Sequence, residues 1–228
     1  MILPVAALGA ALWYVRGVRR YRDPIRIPPQ DAGAVLSPAD GVVCFVRRIE
    51  DGEVQVETLA APLGARDVTG ADVREGWLVG LYVGPLDVHF AYVPVSGTAT
   101  GVEHLGSRLN VSLGGPGLLL GLPADLLGTR GAVENERHVT TLETPGGGVS
   151  VTFVAGKGGL NATTYVRPGD ETRAGHKLAF LEEGGLVLMT LPEQATLQVS
   201  VGDRVTGAET VMAQFLTLTA SAPPPASR

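Results

Sequence analysis

Four groups of residues are of types that could do chemistry. Asp40 stands in the turn Ser37-Pro-Ala-Asp-Gly41, and Asp87-Val-His89 precedes Phe90. A carboxylate and an imidazole that meet in space make an oriented general base. Asp40 alone fits an Asx turn equally well, and a single His is more often structural than catalytic. Asn135-Glu-Arg137 is a compact polar cluster after a glycine-rich loop. It is either a solvated turn or a place where Arg137 grips a substrate phosphate. Phe180 to Pro192 holds two acids, then Gly184-Gly185, then a six-residue apolar run closed by the proline. That pattern predicts a hairpin-type turn feeding a buried strand, Leu186 to Leu191. His89, His104, His138 and His176 lack HxH or HxxxH spacing, and the lone Cys44 rules out a CxxC pair, so no metal is expected. Gly146-Gly-Gly148 and Gly156-Lys-Gly-Gly159 lack the spacing and context of a phosphate loop.

The elements that must position these residues read as strands. Gly (31) and Pro (16) punctuate short Val/Leu/Thr runs, the signature of a turn-rich β chain. Val42–Val46, Trp77–Val83 and Gly148–Ala155 are predicted strands, and Asp51-Gly52 marks a hairpin. Val166 to Leu178 and Val199 to Val211 both carry Gly-Asp, a turn and an apolar strand, 33 residues apart. Two copies are too few for a solenoid. They look like the hairpins of barrel-sandwich domains of the biotinyl/lipoyl type, although no exposed tip lysine marks a carrier domain. A length of 228 residues supports one sizeable core. Net charge −5 with no basic stripe in the body argues against nucleic acid as a partner. Self-association into a homo-oligomer is left open.

The first fifteen residues carry no charge, and Arg16, Arg19, Arg20 and Arg22 follow. The run is short for a spanning helix, which needs roughly 20 apolar residues. An apolar helix with a basic flank and Trp13, Tyr14 and Tyr21 beside it predicts membrane association over residues 1–22, either spanning or lying on the bilayer. An ordinary buried helix is the alternative. The arginines would hold the body at the cytoplasmic face of the cell membrane. Residues 23–34, with three prolines, read as a linker. Residues 35–219 read as one β domain, and 220–228 as a disordered tail. Leu118 to Leu127 either dips into lipid or packs over the sheet.

Together these pieces resemble the phosphatidylserine decarboxylase family, in particular its short bacterial and archaeal-type members. The resemblance rests on seven segments in the family's order. They are Tyr21-Arg-Asp-Pro-Ile-Arg26, Ser37-Pro-Ala-Asp-Gly41, Asp87-Val-His89, Pro94-Val-Ser-Gly97, Asn135-Glu-Arg137, Val166–Gly175, and the strand ending at Leu191-Pro192. It implies a membrane-associated protein of phospholipid biosynthesis that converts phosphatidylserine to phosphatidylethanolamine and CO2. It also implies a pyruvoyl cofactor made from a serine of the chain itself, with Asp40 and His89 assisting the self-cleavage; Asn135 and Arg137 remain the candidate substrate-binding residues. Counting back from Pro192, the family's Gly-Ser falls on Gly184-Gly185, and Gly185 has no hydroxyl. Thr190 is five residues away, and Gly106-Ser107 lies at a different point of the pattern. Tyr92 stands where family members carry a second His or an Arg. The sequence therefore predicts a family member in which the pyruvoyl group is not formed. The alternative is a non-catalytic membrane-associated lipid-binding or regulatory protein.

Overall fold

The structure is a computed structural model and describes residues 2–31, 33–107, 109–114 and 124–215. It is mainly β, with a large sheet curled into a half-barrel. Residues 2–17 form a helix, α1 (Ile2–Gly17), followed by a 3-10 turn at Arg19–Tyr21. Among the described residues no helix is long and apolar enough to cross a membrane. The strands are β1 (Ala34–Leu36), β2 (Gly41–Glu50), β3 (Glu53–Val54), β4 (Leu63–Gly64), β5 (Gly76–Val83), β6 (Phe90–Tyr92), β7 (Gly97–Leu105) and β8 (Arg137–Thr144). They continue as β9 (Gly147–Val154), β10 (Ala162–Thr164), β11 (Glu171–Thr172), β12 (Lys177–Leu181), β13 (Gly185–Leu191), β14 (Ala195–Leu197), β15 (Arg204–Val205) and β16 (Val211–Phe215). Five-residue helices lie at Ala65–Thr69 and Arg130–Glu134.

The large sheet runs β11-β7-β8-β9-β13-β5-β2-β3-β4, with β15 also paired to β2. Strand β13 sits in its middle, antiparallel to both β5 and β9. Every residue of β13 is buried. Its alternate side chains enter two separate cores. Val187, Met189 and Leu191 join one, and Leu186 and Leu188 the other. A strand covered on both faces has no solvent side to mark with polar residues, which is why this one reads as an unbroken apolar run. Leu126 and Leu127 help cover the second face and are fully buried. This end of the leucine-rich stretch packs over the sheet, while residues 115–123 lie outside the described residues, as does the tail from 216. The Gly184-Gly185 turn is not a hairpin. It leads from β12, which pairs with β6 and β10, into β13 in a different sheet. The turn itself is Leu181–Gly184, with Glu182-Glu183 at its centre and the Gly184 N–H 3.4 Å from Leu181 O, and Gly185 already opens β13. The dipeptide marks where the turn ends, and a turn signal does not say which strands pair.

Cys44 shares the second core. Burial pushes its thiol up to about 11. A thiol raised above its ordinary value is protonated in the fold, so its contribution to stability is complete below about pH 9 and is lost as pH rises toward 11. The native chain should resist thiol reagents at about pH 8 and react only on unfolding. Stoichiometric labelling of the native protein would contradict the buried placement.

The two Gly-Asp stretches build the same turn. In one, Asp170 Oδ2 accepts the Arg167 N–H at 2.8 Å; in the other, Asp203 Oδ2 accepts the Ser200 N–H at 2.8 Å. The match extends to their partners. Ala99 N–H donates to Asp170 O at 2.9 Å and Val43 N–H to Asp203 O at 2.9 Å. Leu36 N–H donates to Pro94 O, and Tyr92 N–H donates back to Pro38 O, both at 2.8 Å. The chain thus contains an internal two-fold repeat relating the Pro38–Gly41 turn to the Pro94–Gly97 turn.

The repeat gives Asp40 a twin. Asp40 Oδ1 accepts the Gly207 N–H at 2.8 Å, and at the matching place Ser96 Oγ accepts the Ala174 N–H at 3.0 Å. Asp40 differs in also holding Arg26 Nη2 at 2.7 Å. Ser96→Ala should cost about 1 kcal/mol, and Asp40→Ala about 2 kcal/mol because the Arg26 guanidinium also loses its nearer carboxylate, keeping only Glu209 at 3.6 Å and the Tyr92 hydroxyl. Urea unfolding of both variants tests this, and equal losses would show that the ion pair adds nothing.

Candidate functional site at one end of the sheet

The sheet register gathers the sequence motifs at one end. Val42 pairs with Tyr82, Tyr82 with Leu186, Leu186 with Val154, and Val154 with Arg137. The Asp40 turn enters β2, the loop carrying Asp87 and His89 leaves β5, and Gly184-Gly185 enters β13, all at this level. Two strand spacings, roughly 10 Å, separate the Asp40 and Gly184 lines.

His89 is 3% exposed. Its Nδ1 lies 3.2 Å from Glu182 O. A carbonyl can only accept, so a neutral His89 carries its proton on Nδ1. That leaves Nε2 with a free lone pair, buried and without a hydrogen-bond partner. The ring sits beside Phe180, with centroids 6.5 Å apart. Neither Asp40 nor Asp87 orients it. Asp40 bonds Arg26 and Gly207, and Asp87 accepts the Gly84 N–H at 2.8 Å and pairs with Arg204. The fold brings Asp40 and His89 to the same end of the sheet but does not hydrogen-bond one to the other.

Around Asp40, burial opposes the Arg26 charge, yet its hydrogen bonds to Tyr92 and Asp40 win and its pKa is raised. Burial likewise raises the pKa of the Tyr92 hydroxyl, against the pull of Arg26. Tyr92 therefore acts here as a neutral partner of Arg26, through a 3.5 Å contact to its hydroxyl and a guanidinium 5.7 Å from its ring.

Asn135 and Arg137 are buried. Asn135 Nδ2 donates to Val111 O and Ala155 O, and its Oδ1 accepts the Val111 N–H. Arg137 donates to Asp67 O at 2.6 Å, to Asn135 O, and by short contacts to Val68 O and Val133 O. These carbonyls lie at the ends of the two five-residue helices, where the helices themselves leave C=O groups unpaired. Burial lowers the Arg137 pKa, with the Asp67 charge offsetting part of this. The cluster is thus not a solvated turn. A cleft of about 350 Å³ does adjoin it, lined among others by Arg66, Glu103 and Arg137.

Gly184 and Gly185 have φ of +68° and +133°. A Cβ on Gly185 would stand 2.6 Å from Val154 O, and one on Gly184 2.6 Å from Val83 O. Both positions require glycine in this backbone. Thr190 is occupied with Ser150, 2.6 Å between hydroxyl oxygens deep in the sheet. Ser107 is in an exposed loop, bonded to Leu109 O. Among the described residues no group of three or more His, Cys, Asp or Glu side chains is placed to hold a metal.

The sequence reading of the basic flank missed its contacts with this site. Arg20 Nη1 lies 3.2 Å from Glu182 O, the carbonyl that His89 also meets, and 3.6 Å from the Glu183 carboxylate. Arg22 Nη2 donates to Leu86 O at 2.9 Å, and Arg19 Nε reaches the same oxygen at 3.4 Å. Tyr21 stacks on Phe180 at 5.4 Å. The side chain of Arg16 lies outside the described residues. Tyr21 among the arginines was the available signal, since an aromatic there can stack on the body as readily as it can face lipid.

Comparison with known proteins bears on this arrangement. Residues 14–213 match the phosphatidylserine decarboxylase family. A protein of Methanothermobacter thermautotrophicus, named as a candidate archaetidylserine decarboxylase proenzyme, is 30% identical over 195 residues, covering 86% of this chain and 78% of that protein. A phosphatidylserine decarboxylase proenzyme of Burkholderia mallei is 31% identical over 200 residues, covering 87% and 77%.

Proposed function

The chain belongs to the phosphatidylserine decarboxylase family, and from that premise we propose that it serves phospholipid biosynthesis at a serine-type lipid headgroup as an unprocessed family member. The family and the names of both relatives support decarboxylation of phosphatidylserine or its archaeal counterpart as the chemistry this scaffold serves. The pyruvoyl group on which that chemistry depends needs a serine where Gly185 stands. The residues present do not fit it. Gly185 offers no hydroxyl, and its φ of +133° with Val154 O 2.6 Å from a Cβ leaves no room for one. That backbone position is the observation carrying this reading.

Of the remaining residues one binds and the others position the site. The unpartnered His89 Nε2 is an acceptor for the headgroup ammonium. Asp40 holds Arg26 and the Gly207 turn, so it positions the site's edge. Arg137 braces the ends of the two short helices and Asn135 ties Val111 to Ala155, so both reach the headgroup only through the shape they impose. The two-fold pairing of the Gly-Asp turns supports reading the body as a barrel-sandwich with biotinyl/lipoyl-type hairpins. Helix α1 and the following arginines support a place on the cytoplasmic face of the cell membrane.

Intact mass of the purified protein tests the processing claim. One uncleaved 23.7 kDa chain is expected, with no CO2 released from phosphatidylserine vesicles. Two fragments, the smaller with a blocked N-terminus, would restore the ordinary decarboxylase reading. Tighter binding to phosphatidylserine than to phosphatidylglycerol vesicles is the matching expectation for the headgroup site, and equal binding counts against it.

A further inference from the structure

Three buried nitrogens without partners cluster on one side of the molecule: Arg20 Nε, Arg22 Nε and His89 Nε2. They belong to one construction. Residues 19–28 run along the body as a strap. Arg20 grips Glu182 O, the carbonyl that also meets His89 Nδ1. Arg19 and Arg22 grip Leu86 O, three residues before His89. Tyr21 covers Phe180, which in turn packs against His89 and Phe90. Asp23 pairs with Lys177, and Arg26 with Asp40. The strap therefore holds both loops that enclose the His89 ring.

Its hold is incomplete in a particular way. Arg19 and Arg22 share one backbone carbonyl, and the Nε–H of Arg20 and of Arg22 is buried unbonded. A guanidinium bonds a phosphodiester more strongly than a neutral carbonyl, because the acceptor is charged and can take two parallel N–H bonds. Directly before the strap, Val5, Leu8, Trp13 and Tyr14 of α1 are 50–69% exposed, so they lack cover from the body. An apolar helix running into arginines whose donors are unfilled matches the two layers of a bilayer surface, acyl chains and then phosphates.

We infer that residues 19–26 are a cover over His89 that anionic phospholipid releases. When α1 enters the bilayer, Arg19 and Arg22 exchange the Leu86 carbonyl, and Arg20 the Glu182 carbonyl and the Glu183 carboxylate 3.6 Å away, for lipid phosphate oxygens. The Tyr21 ring leaves Phe180, and the two loops around His89 become free to open. The headgroup site is then accessible only at a membrane. This rests on the lipid reading of the site and not on the fate of Gly185.

Hydrogen–deuterium exchange on the full chain tests it. With vesicles containing phosphatidylglycerol, residues 84–90 and 181–186 should exchange about tenfold faster than in the free protein. Pure phosphatidylcholine vesicles and inorganic phosphate should leave them unchanged. The double variant Arg20→Gln/Arg22→Gln should show the faster exchange without lipid, with no further gain on adding it. Co-sedimentation with anionic vesicles and unchanged or slower exchange in these segments would overturn the inference. So would failure to bind those vesicles, a double variant as protected as the parent, or inorganic phosphate reproducing the effect, which would assign the site to a soluble anion. None of these outcomes depends on whether the chain is cleaved, which intact mass reads separately.

Discussion

Replacing Arg137 with Met should destabilise the protein by about 4 kcal/mol, among the largest losses for a single substitution here. Arg137 is 4% exposed and bonds four backbone carbonyls, those of Asp67, Val68, Val133 and Asn135. Methionine fills similar volume but donates nothing, so the four acceptors stay buried and unpaired. Each such acceptor costs about 1–3 kcal/mol, reduced where the ends of the short helices can relax toward water. Lysine is no remedy, because a point charge cannot reach carbonyls on two separate helices as a planar fork does. Urea unfolding, read beside lipid binding, separates the two readings of this residue. If Arg137 were a phosphate ligand and not a brace, the variant would keep its unfolding midpoint and lose headgroup affinity.

On the proposed reading of Gly185 as the place of the self-cleavage serine, Gly185→Ser supplies the missing hydroxyl, yet it should leave the chain whole and weaken the fold by about 2–4 kcal/mol. The backbone at 185 has φ +133°, where L side chains are strained, and the new Cβ meets Val154 O at 2.6 Å. Strand β13 cannot shift to relieve this, since β5 and β9 pin it along its length and all its residues are buried. Lost stability together with an uncleaved mass is the expected pair of results. The appearance of two fragments would show that the turn can rearrange around a serine, and the site would then be one substitution from the family's ordinary processing.

Both variants probe places where the sequence offered two meanings. Asn135-Glu-Arg137 looked the same as a solvated turn or as a phosphate grip, because a short polar cluster carries no record of what lies above it. The fold fills that space with the end of Arg130–Glu134, which directly precedes the cluster, and with the end of Ala65–Thr69, which arrives from a distant part of the chain. Asp40 was legible as a turn residue, and its twin Ser96 shows why: the same N–H at the matching place needs an acceptor of either kind. Its second partner, Arg26, was not legible, since nothing in a proline-rich stretch says that it lies against the body.

The sequence by itself determined the β class, the family, a turn ending at Gly184 and the buried strand after it. These follow from local chemistry: glycine where φ is positive, alternation or its absence along a strand, and motifs in a fixed order. Only the tertiary structure decided that β12 and β13 belong to different sheets, that Asp40 and His89 have separate partners, and that the basic flank lies against the His89 loops. Each of those depends on register and on contacts between residues far apart in the chain. A guanidinium has the same sequence signature whether it faces a lipid phosphate or a backbone carbonyl, and only the fold places the carbonyls of Leu86 and Glu182 within its reach.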